Sequence, residues 1–251
     1  MKKNNQVLRL FFTVCITAVF FSCNSGTETK TDETTMSNDS ATAAATDTMA
    51  STPAAAQPAL AAPFDIVVID QVVKDYGTWR PFFISDSTAR QASGLKDIVV
   101  SKNMDKPNDI SVILLATDVS KAKAFGADSR LKDVMQKAGV VGKPEINYWH
   151  VLRFNPDAKA KQWVTVTHKV KDFDTWQKAF DAEGTATRAE HGLVDALLAR
   201  GIDDPNMVFI AMDLADMDKA KARIKDPAFK KIMTDAGVIG APKIVFNSGM
   251  E

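Results

Sequence analysis

The sequence predicts an α+β fold, and three observations lead there. A string of residues is written twice at a nearly constant offset, each copy reads β-α-β-β-α-β, and the opening strand is apolar on both sides. Lys74-Asp75-Tyr76-Gly77-Thr78-Trp79 returns as Lys171-Asp172-Phe173-Asp174-Thr175-Trp176. Asp105-Lys106-Pro107-Asn108 returns as Asp203-Asp204-Pro205-Asn206, and Ala138-Gly139-Val140-Val141-Gly142 as Ala236-Gly237-Val238-Ile239-Gly240. The offset is 97 early and 98 later, which places one inserted residue after the first helix begins.

Each element has a local cause. Residues 66–73 and 164–170 are β-branched runs, hence strands. Trp79, Phe82 and Phe83, like Trp176, Ala179 and Phe180, fall at i, i+3 and i+4 and form an apolar helical stripe. Asp172 is the expected N-cap of the second such helix. Thr78 is the expected cap of the first, because Pro81 then falls at N3, where its missing N–H costs least. Gly94 and Gly192 end those helices. Strands over 98–101 and 110–116, and over 196–199 and 208–212, flank Asp-x-Pro-Asn turns. A second helical region covers 120–138 and 218–236, with Asp226 capping a break and Pro227 at N1. A last strand follows, over 146–154 or 244–246.

This order is the split βαβ, or ferredoxin-like, unit. Ile66, Val68 and Val72 lie on one side of the opening strand, and Val67, Ile69 and Val73 on the other. A strand apolar on both sides belongs in a sheet covered on both faces. One copy cannot cover its own second face, so the two sheets are expected to pack face to face within one chain. The expected organisation is a first repeat at 63–154, a joint at 155–162 and a second repeat at 163–251. The pattern resembles the dimeric α/β-barrel superfamily, which includes antibiotic-biosynthesis monooxygenases and Dabb-type proteins, with Asp-(Tyr/Phe)-x-x-Trp opening the first helix and Ala-Gly-Val closing the second. The resemblance implies an α/β barrel, built here from one polypeptide where relatives use two.

The start of the chain reads as an address. Lys2, Lys3 and Arg9 precede a short apolar run from Leu10 to Phe21, too short for a membrane span of about 20 apolar residues. Phe20-Phe21-Ser22-Cys23 resembles a bacterial lipobox, which implies a lipoprotein signal over 1–22, lipidation at Cys23, membrane attachment and a place in the cell envelope. A conventional cleaved signal is the alternative. Residues 23–62 are Ser-, Thr- and Ala-rich and read as a disordered tether.

Composition narrows the chemistry. The 251 residues hold 31 Lys plus Arg against 31 Asp plus Glu, a balance that argues against a broad nucleic-acid surface. Cys15 and Cys23 offer no disulfide framework. No P-loop, Gly-x-Gly-x-x-Gly or His-x-x-x-His is present, so neither a cofactor nor a metal site is expected. All three histidines fall late in the chain: His168 where the first copy has Gln71, His191 where it has Ser93, and His150 in the last strand of the first copy. In the resemblance, a strand histidine or tyrosine in the cavity moves protons, which makes His168, His150 and Tyr148 the candidate catalytic residues. Each has a structural alternative, a hydrogen-bonded or part-exposed strand residue. His191, beside Gly192, suits a helix end. Trp79 and Trp176 recur and read as core, whereas Trp149 and Trp163 flank the joint. The leading functional reading is a module holding a small apolar or aromatic molecule between the sheets. The alternatives are a cofactor-independent oxygenase or cyclase-like enzyme, and a filled barrel with a structural or interaction role.

Overall fold

The computed structural model describes residues 63–250. The signal, Cys23 and the tether expected over 23–62 lie outside the described residues. The first half runs β1 (Phe64–Val73), α1 (Tyr76–Ser85), α2 (Ser87–Ala92), β2 (Leu95–Asn103), β3 (Asp109–Ala116), α3 (Val119–Gly126), α4 (Ser129–Lys137) and β4 (Val140–Phe154). The second half runs β5 (Gln162–Val170), α5 (Phe173–Glu190), β6 (Leu193–Gly201), β7 (Met207–Leu214), α6 (Met217–Lys225), α7 (Pro227–Asp235) and β8 (Val238–Gly249).

All strand pairs are antiparallel, and the ring closes in the order β1-β3-β2-β8-β5-β7-β6-β4. The two four-stranded sheets therefore do more than face each other. Their edges hydrogen-bond, β2 to β8 through Ser101↔Gly249 and β4 to β6 through Val151↔Ala199. A free edge is a row of unpaired N–H and C=O groups, and closure removes it.

Alternation along each strand sorts the core into three layers. Val67, Val73, Val112 and Leu114 pack outward against Trp79 and the first-half helices. Val164, Val170, Val208 and Ile210 do so against Trp176 and the second-half helices. Ile66, Val68, Ile113, Trp149, Val151, Ala199 and Phe209 point inward and fill the barrel centre. β1 thus buries apolar residues on both faces, although Val72 near its end stands exposed. Large and small residues exchange places between corresponding inward positions: Trp149 against Asn247, Phe209 against Ser111, Val68 against Thr165. Trp149 stacks on Phe209 at 5.3 Å in the space this leaves. The cavity expected between the sheets is accordingly filled at its centre.

Local boundaries follow backbone satisfaction. Asp75, not Thr78, caps α1: its carboxylate accepts from the Thr78 N–H at 2.7 Å and from the Thr78 hydroxyl at 2.8 Å. One carboxylate meeting two donors outcompetes a hydroxyl cap, and Pro81 then lies inside the helix. Asp172 and Asp226 cap as expected, with Pro227 opening α7. The first half breaks likewise, at Asp128, whose side chain accepts from the Arg130 N–H at 2.9 Å. Gly192 takes φ 73°, and a Cβ there would stand 2.4 Å from the Asp216 carbonyl oxygen. No other residue fits this helix stop.

One ion cluster ties the halves across the lumen. Asp70 and Glu145 are directly opposed on β1 and β4, a repulsive cross-strand pair. Lys243, from β8 on the far side of the ring, reaches both, at 2.8 and 2.7 Å. Glu145 and Lys243 occupy the same position in the two copies with opposite charge. Hydrogen bonding from Lys243 holds the Glu145 carboxyl below its ordinary value, against the opposing effect of burial. Burial pulls Lys243 down, but its bonds to Asp70 and Glu145 leave it above its ordinary value. The carboxylate contribution is present above the usual carboxylate range and lost as pH falls through the lowered value; the lysine contribution is lost only as pH rises through the raised one. Lys243→Met should destabilise the fold by about 1 kcal/mol at pH 7. In urea titrations across pH the deficit should shrink as Glu145 protonates; a deficit constant with pH would show that the charges do not couple.

Candidate functional site

One apolar cavity lies between sheet and helices at the same place in each half. In the first half, Val67, Ile69 and Gln71 of β1 form the floor, Trp79 and Phe83 of α1 one wall, and Leu131 and Met135 of α4 the other. In the second, Val164, Val166 and His168 of β5 form the floor, with Trp176 and Phe180 of α5 and Phe229 and Met233 of α7 around it. Position answers position. The volumes are about 60 Å³ and 90 Å³.

Each floor carries one buried polar side chain. Gln71 is 8% exposed and its Oε1 has no hydrogen-bond partner among the described residues. His168 is 6% exposed, and neither Nδ1 nor Nε2 has one. Its ring stands edge-on to Trp176 at 5.3 Å. Burial alone drives its pKa down to about 4, so the imidazole is neutral at pH 7. A neutral imidazole offers one donor and one acceptor, and burying both unsatisfied costs on the order of 1–3 kcal/mol for each group.

Behind each cavity stands a buried arginine that sequence reasoning missed. Arg188 is 1% exposed. It bonds Asp195 through Nε at 2.7 Å and Nη2 at 2.6 Å, donates from Nη1 to the Phe180 carbonyl at 2.9 Å, and lies 3.9 Å over the Phe180 ring. Arg90 repeats this with Asp97, the Phe83 carbonyl and the Phe83 ring. A buried guanidinium persists only when its charge and donors are matched this fully. The signal was in the sequence: Phe83, Arg90 and Asp97 recur as Phe180, Arg188 and Asp195 at the copy offset. The second half extends the network, since Glu183 bonds both Arg188 and Arg223. Phe125 stands at the position corresponding to Arg223.

The three candidate catalytic residues are not brought together. His168 lines the second-half cavity, and Tyr148 the first. Burial first, then the Asp203 carboxylate, push the Tyr148 phenol above its ordinary value, which makes it a reluctant proton donor. Lys123 lies 5.1 Å over its ring, as Lys221 lies 5.2 Å over Phe246 at the corresponding position, so the ring's role is shared packing. His150 is 47% exposed and bonds Asp65 through Nδ1 at 2.7 Å, a cross-strand pair outside both cavities. His191 caps the end of α5. The polar mouth of the barrel, a cleft of about 440 Å³, includes Asp70, Glu145, Lys243, Thr165 and Asn247. These side chains bond one another, with Asn247 donating to Thr165 at 3.1 Å. Among the described residues no group of three His, Cys, Asp or Glu could hold a metal, and no helix is long and apolar enough to cross a membrane.

No protein-family model matches the chain, and no curated protein matches it. Solved structures do. An anthrone oxidase-like protein aligns with a TM-score of 0.54 at 13% identity, over 75% of this chain and 92% of its own. A ferredoxin-fold protein related to antibiotic biosynthesis monooxygenases, from Listeria monocytogenes 4b F2365, gives 0.43 at 12%, over 76% and 95%. A monooxygenase-like protein from Listeria innocua gives 0.42 at 12%, over 75% and 95%. At these identities the likeness is one of fold alone.

The depressed His168 pKa gives a signed expectation. Between pH 6.5 and about 4 the unfolded chain binds a proton at His168 that the folded chain refuses, so stability falls as pH falls through that window. Urea unfolding at pH 7 and pH 4.5 should show the native protein losing about 2 kcal/mol more than His168→Gln. Equal losses would place the imidazole in water.

Proposed function

We propose that this chain is a lipid-anchored envelope protein whose barrel binds a small, largely apolar or aromatic molecule in the second-half cavity, with His168 as its polar contact. One observation carries the reading: an imidazole 6% exposed, lining an apolar cavity, with both nitrogens unpartnered. A bound hydroxyl or carbonyl would recover what its burial costs. The two copies are read as a fused counterpart of barrels that others build from two chains, and the shared fold of the neighbours is compatible with small-molecule binding. Attachment through Cys23 rests on the basic start, the short apolar run and the lipobox-like quartet. Cys23→Ala should move the full-length protein from the detergent to the aqueous phase in Triton X-114 partitioning; unchanged partitioning would remove the anchor.

The same geometry argues against His168 as a general base. A base with a pKa of about 4 is weak at neutral pH, where proton transfer favours a value near 7. Binding is therefore preferred to the oxygenase or cyclase-like reading. His168→Leu replaces an unsatisfied group with an apolar one, so it should raise stability by about 1–3 kcal/mol while removing binding. Thermal-shift measurements on native and variant protein, with a panel of hydroxylated and carbonyl-bearing aromatics, test both halves of that statement. Ligands that shift both proteins equally would detach His168 from the site.

A further inference from the structure

The second half has a second cavity beside the first. It measures about 260 Å³ and lies between the latter part of α5 and β6, bounded by Thr185, Ala186, Ala189, Val194 and Leu198. Phe180, Leu193 and Ile210 line both this cavity and the His168 cavity, so one layer of side chains parts them. Its rim is open, because Ala186, Ala189 and Val194 are exposed. α5 loses helical geometry at Gly184 (φ 79°, ψ 155°), just before the residues that roof it.

Size and chemistry assign the two chambers complementary parts. An apolar void of roughly 150 Å³ admits a benzene ring. At about 90 Å³ the inner chamber is too small to take one alone, whereas the outer chamber, about 260 Å³, is large enough. The charged and amide side chains of the outer chamber are already engaged: Asp195 holds Arg188, Arg153 bonds Asp181, and Asn155 donates to the Asp195 carbonyl at 3.1 Å. The inner chamber has that group, in His168.

We propose that one ligand spans both chambers by displacing the Phe180 ring: a neutral amphipathic molecule with a hydroxyl head on His168, an alkyl stem past Phe180 and an apolar body in the outer chamber, entering past Ala186 and Ala189. This rests on the reading of the His168 cavity as the binding site and adds the ligand class and route. The head is neutral because the arginines that line the inner chamber are already paired, Arg188 with Asp195 and Arg223 with Glu183, so an added charge would lose its hydration without a free counter-ion. Glu183 is already taken by Arg188 and Arg223. Phe180 is the partition. Trp176 stacks on it at 5.2 Å and the Arg188 guanidinium lies 3.9 Å from its centroid.

The test is calorimetric titration of the full-length protein with 1-alkanols, from 1-butanol to 1-decanol. Affinity should rise about fourfold per added methylene until the outer chamber is full. Ala186→Trp and Ala189→Trp, both at exposed positions, should flatten that rise and weaken 1-octanol about tenfold or more. His168→Leu should weaken every member and abolish the preference for 1-octanol over octane. If His168→Leu acts but chain length and the tryptophan variants do not, the two-chamber inference is overturned and the His168 site stands. If chain length matters and His168→Leu does nothing, the His168 site falls. No binding by any member overturns both.

Discussion

Closure of the strand ring is the constraint from which the rest of this structure follows. Each four-stranded sheet has two edges, and β2–β8 and β4–β6 pairing consumes them all. Once the edges are joined, the inward face of each sheet must be filled by side chains from both halves. That is why inward positions pair large with small rather than repeating themselves. Trp149 and Phe209 occupy space that Asn247 and Ser111 leave, and Glu145 meets Lys243 where two identical residues would repel or clash. Divergence between the copies is therefore a requirement of packing before it is a matter of function.

With the centre of the lumen filled, the apolar cavities lie on the outer face, between sheet and helices. There the halves keep a common frame, with a buried Arg chelated by Asp behind a Trp and a Phe, and differ in what faces the void. The frame is satisfied by its hydrogen bonds, whereas the floor of the second cavity is not, since His168 is held neutral with both nitrogens unpaired. A fold that tolerates this cost at both nitrogens of His168, while giving a neighbouring arginine four hydrogen bonds, fits the pattern in which a proposed binding site is maintained against stability.

Much of this was legible in the sequence. The copied segments led to β-α-β-β-α-β twice, and the two-sided apolar β1 pointed to a sheet covered on both faces. Asp172, Asp226 and Pro227 marked their helix starts because capping is local. The misread features are those decided by competition or by distant residues. Asp75 displaced Thr78 because one carboxylate could serve two donors at once. Alternation tells which side of a strand is apolar, but not whether that side meets a lumen or a helix, so the cavity was expected between the sheets. His168 was picked out by its asymmetry with Gln71, while the absence of any partner could be seen only with its surroundings in place. Arg90 and Arg188 were passed over because a lone arginine reads as surface until its aspartate, seven residues on, is seen to recur with it.

The most direct test separates the halves. Residues 63–154 and 155–251 would be expressed apart and examined at low micromolar concentration by sedimentation and amide hydrogen exchange, then mixed. Closure predicts that neither half alone is a compact monomer with protected amides in β2, β4, β6 and β8. It also predicts that mixing restores protection in all four. A lone half that sediments as a compact monomer, with its edge strands already protected, would contradict it.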